Sequence, residues 1–124
     1  MSHHSPAFLK IVDDARRRVR EVTIGQTMER RRANPEVLLV DTREDREWLA
    51  GHIAGAVHLG KGIIERDIET AVPDKDTEII LYCGGGYRSV LAADALQLMG
   101  YTNVFSMAGG WRQWTADGGP VETP

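Results

Sequence analysis

In the run Glu78-Ile79-Ile80-Leu81-Tyr82-Cys83-Gly84-Gly85-Gly86-Tyr87-Arg88-Ser89-Val90-Leu91-Ala92-Ala93-Asp94-Ala95-Leu96, an apolar stretch gives way to three glycines and then to a helical pattern. The apolar part reads as a strand buried on both faces. The part from Ser89 to Met99 reads as a helix, with Gly100 as its left-handed stop. The spacing therefore predicts a strand, a tight loop and a helix, with Cys83 where the strand ends. Cys83 is the only cysteine in the chain. A thiol at a helix N-terminus faces unpaired backbone N–H groups and the positive end of the helix dipole. That setting favours the thiolate, the nucleophilic form of cysteine.

The same alternation runs outward in both directions. Val37-Leu38-Leu39-Val40-Asp41 is a second buried-strand pattern, ending in a carboxylate. Shorter strands are expected at Val22-Thr23-Ile24, Ala56 to Leu59 and Val104-Phe105. Helices are expected over Pro6 to Val19, Gln26 to Ala33, Glu44 to Ala50 and Lys61 to Ala71, with a last short one after Gly109-Gly110. The first carries an apolar stripe at Phe8, Ile11, Val12, Ala15 and Val19, with Ser5 placed to cap it and Pro6 at its first position. Strands alternating with helices predict an α/β fold, a parallel sheet wrapped by helices. In open sheets of this kind ligands bind beyond the carboxyl ends of the strands. Asp41 and Cys83 both lie at such ends.

The bulk composition narrows the function. With 124 residues the chain suits one domain, and 42% apolar content is ordinary for a globular protein. Its net charge of −3 argues against a nucleic-acid partner. The runs Arg16-Arg17-Arg18 and Arg30-Arg31-Arg32 sit among carboxylates and read as solvated helix faces. One cysteine excludes an internal disulfide and a multi-cysteine zinc site. His3-His4, at the terminus, does not read as a metal tract. No secretory signal is visible, and no apolar run approaches the roughly 20 residues that span a bilayer. A cytoplasmic protein with no membrane partner is expected.

Three glycines in a row turn N–H groups inward as an anion-binding nest. Arg88 would close the ring with a permanent cation. The loop taken alone also fits a flexible turn beside a buried thiol.

Four segments together resemble the single-domain rhodanese family of sulfurtransferases. They are Asp41-Thr42-Arg43 followed by Glu47; Gly51-His52-Ile53-Ala54-Gly55-Ala56; Cys83-Gly84-Gly85-Gly86-Tyr87-Arg88-Ser89; and Gly109-Gly110-Trp111 with Trp114, then Gly119-Pro120-Val121. The resemblance spans about Val22 to Val121. It implies a rhodanese-like domain over 22–124, a five-stranded parallel sheet, and an added N-terminal helical extension over 1–21. It also implies that Cys83 takes sulfur from a donor such as thiosulfate, becomes a persulfide, and yields that sulfur to cyanide, a thiol or an acceptor protein. The backbone N–H groups of Gly84, Gly85, Gly86, Tyr87 and Arg88 would hold the persulfide, and no cofactor or metal is required.

Asp41, Arg43, Glu47 and His52 are expected as structural support. Arg43 pairs with Glu47 or Asp41, and His52 anchors its turn. Trp111 and Trp114 are expected in the core or at the pocket rim. Tyr87 is expected to point outward and shape the approach of the donor. Cysteine phosphatases use a Cys-x5-Arg loop, whereas the spacing here is Cys-x4-Arg, one residue shorter. The smaller ring suits a sulfur atom better than a phosphate. The other alternative is a persulfide carrier or partner-binding module without turnover, suggested by the glycine-only loop and the apolar stripe of the first helix. Some thiosulfate-using relatives carry basic side chains inside the loop. Here Lys61 or Arg66 is the expected outside source of charge.

Overall fold

The computed structural model describes residues 4–124. The first helix, α1 (Pro6–Arg16), is capped by Ser5, whose Oγ accepts the Phe8 N–H at 3.2 Å. It ends before Val19, and the chain turns directly into strand β1 (Arg20–Val22). The expected strand at Val22-Thr23-Ile24 is displaced for a specific reason. Thr23 caps helix α2 (Ile24–Ala33): its Oγ1 accepts the Gln26 N–H while Gln26 Oε1 accepts the Thr23 N–H. A reciprocal capping box of this kind outweighs the β preference of a short branched run.

Strand β2 (Leu38–Asp41) leads to helix α3 (Asp45–Ala50). The short strands β3 (His52–Ile53) and β4 (Val57–His58) and helix α4 (Ile64–Ala71) follow. Then come β5 (Ile79–Tyr82), α5 (Arg88–Leu98), β6 (Val104–Met107), α6 (Gly110–Ala116) and β7 (Val121–Glu122). Five strands form one parallel sheet in the order β1-β6-β5-β2-β4. The expected five-stranded parallel sheet wrapped by helices is thus the observed architecture. A two-stranded antiparallel ribbon, β3 with β7, was not foreseen. Its strands are two residues long, too short for a periodic signal.

Strand β5 explains how the layers are filled. Ile79 and Leu81 face a core built with Val12, Ala15, Ile68, Val90 and Leu96, under α1, α4 and α5. Ile80 and Tyr82 face the other way, onto Leu39, Ile53, Phe105, Met107 and Trp114, under α2 and α6. Alternate side chains of a strand leave opposite faces, so the central strand must be apolar throughout.

Helix α1 packs on α5, and its Val12 and Ala15 are buried in the first of these cores. Its stripe is therefore largely used inside the chain. A division after residue 21 passes through β1, which pairs with β6 at Arg20, Glu21 and Val22. The carboxyl ends of β2 and β5 come out side by side, Asp41 in register with Tyr82, which brings Cys83 to the centre of that edge.

Candidate active site

Strand β5 ends at Tyr82, and helix α5 begins at Arg88, so residues 83–87 make the bend between them. Gly86 carries the turn with φ +98°, and a Cβ there would press on the Gly109 nitrogen at 3.3 Å. Only glycine satisfies both the positive φ and the close approach. The bend brings the Gly86 N–H to 3.1 Å from Cys83 Sγ, so it donates to the sulfur. Ser89 Oγ lies 3.5 Å from Sγ and 2.8 Å from Ser106 Oγ, forming a short polar chain behind the thiol. Of the five loop amides expected around the sulfur, Gly86 is the one that reaches Sγ itself among the described contacts.

Cys83 is only 1% exposed, yet it forms part of the lining of a cleft of about 550 Å³. Arg88, Arg112, Glu47, Tyr87 and Phe8 also line it. The thiol therefore sits at the floor of an open cavity, not sealed in a core. Tyr87 lines the wall, with the His4 ring 4.3 Å from its own. His3 lies outside the described residues.

The structure divides the support residues differently from the sequence reading. Arg43 pairs with Asp41, Nη2 to Oδ2 at 2.8 Å, both side chains buried. It also donates to the Gly51 carbonyl at 2.6 Å. The Tyr82 hydroxyl donates to Asp41 Oδ2 at 2.6 Å and accepts the Ile53 N–H at 3.1 Å. Burial, and then the Asp41 carboxylate, push the Tyr82 phenol far above its ordinary range. This network ties β2, β5 and the turn at Gly51 together beneath the cleft.

Glu47, the other partner proposed for Arg43, instead binds Arg88 with both oxygens, at 3.0 and 3.3 Å. The Arg88 hydrogen bond holds the Glu47 carboxyl below the usual carboxylate range. Glu47 in turn, with Cys83 contributing less, holds the Arg88 proton more tightly. Glu47 lines the cleft and Asp41 does not.

His52 Nδ1 is 3.1 Å from the Trp48 carbonyl, and its ring stacks on Trp48 at 3.4 Å. His58 Nε2 meets the Arg43 carbonyl at 2.8 Å. Neither imidazole lines the cleft, so neither is placed to take a proton from Cys83. Trp114 is in the core, with its indole N–H donating to the Pro120 carbonyl at 2.9 Å. Trp111 lies under the Arg43 guanidinium, 4.6 Å from ring centroid to carbon.

Sequence reasoning assigned no role at the site to three residues. Ser106 reaches Ser89 across the sheet from β6, a long-range contact with no local signal. Gly110, at φ +56°, lies so close to the nucleophile loop that a Cβ would collide with the Cys83 carbonyl oxygen. Arg112 brings its guanidinium beside Gly85 and lines the cleft, whereas Lys61 and Arg66 do not. The signal for the last two was the Gly109-Gly110-Trp111-Arg112 stretch, whose glycines mark a close backbone approach. No cluster of three or more metal-ligating side chains occurs among the described residues.

Residues 25–117 match the family model described as "Rhodanese-like domain". A sulfurtransferase of Allochromatium vinosum (strain ATCC 17899 / DSM 180 / NBRC 103801 / NCIMB 10441 / D) is 32% identical over 106 residues, 86% of this chain and 97% of that protein. The thiosulfate sulfurtransferase PspE of Escherichia coli (strain K12) is 34% identical over 70 residues, 56% of this chain and 67% of that one. Among solved structures, RPA3614 from Rhodopseudomonas palustris CGA009 superposes with a TM-score of 0.86 at 28% identity. It is described as a protein of unknown function and possible tyrosine phosphatase, and the match covers 98% of this chain and 99% of that one.

Proposed function

The chain belongs to the rhodanese-like domain family, and on that premise we propose that it is a sulfurtransferase working through a Cys83 persulfide. The observation that carries this reading is the placement of one thiol at the floor of an open cleft, with the Gly86 N–H donating to its sulfur. A fixed N–H donor meets the sulfur there, and a visiting molecule reaches it from the cleft.

The reaction follows from that placement. The Cys83 thiolate attacks the outer sulfur of a donor such as thiosulfate. A new S–S bond forms, the donor's S–S bond breaks, and its electron pair leaves with sulfite. An acceptor (cyanide, a thiol or a protein thiol) then attacks the outer sulfur of the persulfide. That S–S bond breaks and its electron pair returns to Cys83. No external oxidant or reductant enters, and covalent catalysis in two steps gives ping-pong kinetics.

Intact-mass measurement after incubation with thiosulfate tests the reading. One sulfur atom should appear on Cys83 and disappear on adding cyanide, with thiocyanate released. A Cys83→Ser variant that still makes thiocyanate at the full rate would sink it.

The likeness to RPA3614 brings a phosphatase reading into view. Two features of this chain oppose it: the loop is Cys-x4-Arg, and its one arginine is held by Glu47 rather than left for a phosphate. Cys83-dependent release of nitrophenol from p-nitrophenyl phosphate would reinstate it. The carrier reading loses one of its motives, since α1 spends Val12 and Ala15 on the chain's own core.

A further inference from the structure

We infer that Arg112, from outside the nucleophile loop, is the residue that recognises the anionic head of the sulfur donor. The inference rests on the sulfur-transfer reading of the cleft and concerns which residue of this chain holds the donor's charge.

Two arginines share the cleft with Cys83, and they differ in what they face. The Arg88 guanidinium is matched by both oxygens of Glu47, so its charge is balanced before any ligand arrives. The Arg112 side chain is exposed and, among the described residues, makes no ion pair and donates no hydrogen bond. A guanidinium with its donors unengaged presents a planar fork that matches two oxygens of a sulfonate or carboxylate. Of the cleft's two arginines, Arg112 is the one whose charge is uncompensated by a described carboxylate.

Its position is fixed by the backbone. The Arg112 N–H donates to the Gly84 carbonyl at 3.0 Å, and the Trp111 N–H donates to the Cys83 carbonyl at 2.8 Å. The start of α6 is thereby bonded to the two residues that begin the nucleophile loop. With its backbone held against the loop, Arg112 has only its side-chain rotamers left to order on binding an anion. Its Nη1 lies 3.4 Å from the point where a Cβ on Gly85 would stand, so the bare glycine leaves room for the guanidinium against the loop.

The geometry of displacement gives this charge its use. Cys83 attacks from the floor, so the leaving sulfite must lie on the far side of the transferred sulfur, away from the floor. Arg112 lines the same cleft, with its guanidinium beside Gly85. The loop carries no basic side chain before Arg88, so the donor's charge is read by a residue of α6.

Alkylation of Cys83 measures this without depending on turnover. Iodoacetate and iodoacetamide share a leaving group and differ in charge. We expect Arg112→Ala and Arg112→Gln to lower the ratio of the iodoacetate to the iodoacetamide rate at Cys83 by about 10-fold, the size of one lost charge-assisted hydrogen bond. The iodoacetamide rate of each variant corrects for any change in the thiol itself, and Arg112→Lys should restore part of the ratio. The same variants should raise the thiosulfate KM far more than they lower kcat. A ratio equal in wild type and both variants would overturn the inference. Thiosulfate failing to load the wild-type Cys83, with the ratio still falling in the variants, would instead sink the sulfur-transfer reading and leave anion recognition by Arg112 standing.

Discussion

Asp41 and Glu47 are both acidic residues of one motif, and the fold sets them to different tasks. Asp41 is buried and answers to both Arg43 and Tyr82. Asp41→Asn leaves the Arg43 charge buried without a counter-ion, and should cost about 3–5 kcal/mol in urea unfolding. Glu47 is partly exposed, so its pair with Arg88 contributes only about 1 kcal/mol. Its carboxyl is depressed in the folded state, so its contribution is present above the ordinary carboxylate range. That contribution is lost as pH falls through the lowered Glu47 pKa. The stability difference between wild type and Glu47→Gln should therefore be level from neutral pH down to about pH 5. It should vanish at lower pH, and a difference that grows on acidification would refute the pairing.

At the scale of elements, the junction of α6 with the nucleophile loop is the most constrained contact in the site. Gly110 combines a positive φ with a collision between any Cβ and the Cys83 carbonyl. Gly118 has φ +75° but open space around its missing Cβ. The two glycines separate backbone strain from crowding. Gly118→Ala should cost about 1 kcal/mol, from strain alone. Gly110→Ala should cost at least about 2 kcal/mol more and slow thiosulfate loading of Cys83, because α6 must move off the loop. Thermal unfolding of both variants with intact-mass kinetics decides this. Equal losses in the two would mean that the junction is not what holds the loop. The capping box at Thr23 teaches a related lesson. Val22-Thr23-Ile24 has β-branched residues throughout, yet the hydrogen bonds of Thr23 and Gln26 start a helix there.

Over the whole molecule, α1 belongs to the same core as the sheet. Val12 and Ala15 are buried with Val90 and Leu96, and Phe8 reaches the cleft from the same helix. Val12→Ala should lower stability by about 2 kcal/mol. Removing residues 1–18 should lower the urea midpoint further and strip one wall from the cleft. A truncated chain as stable as the full one would show α1 to be dispensable. The parallel sheet and the Cys83 loop were legible because they rest on local patterns. An apolar run must be buried, glycines must turn, and a helix must follow where its periodicity begins. The resemblance to the rhodanese family rested on four short motifs in order along the chain, each legible within its own segment. Which carboxylate answers which arginine was not legible, since Arg88 and Glu47 are 41 residues apart and only the register of the sheet brings them together. Ser106 was hidden for the same reason. Local sequence specifies what a segment becomes, whereas the pairing of charges across segments depends on distances that do not exist until the chain has folded.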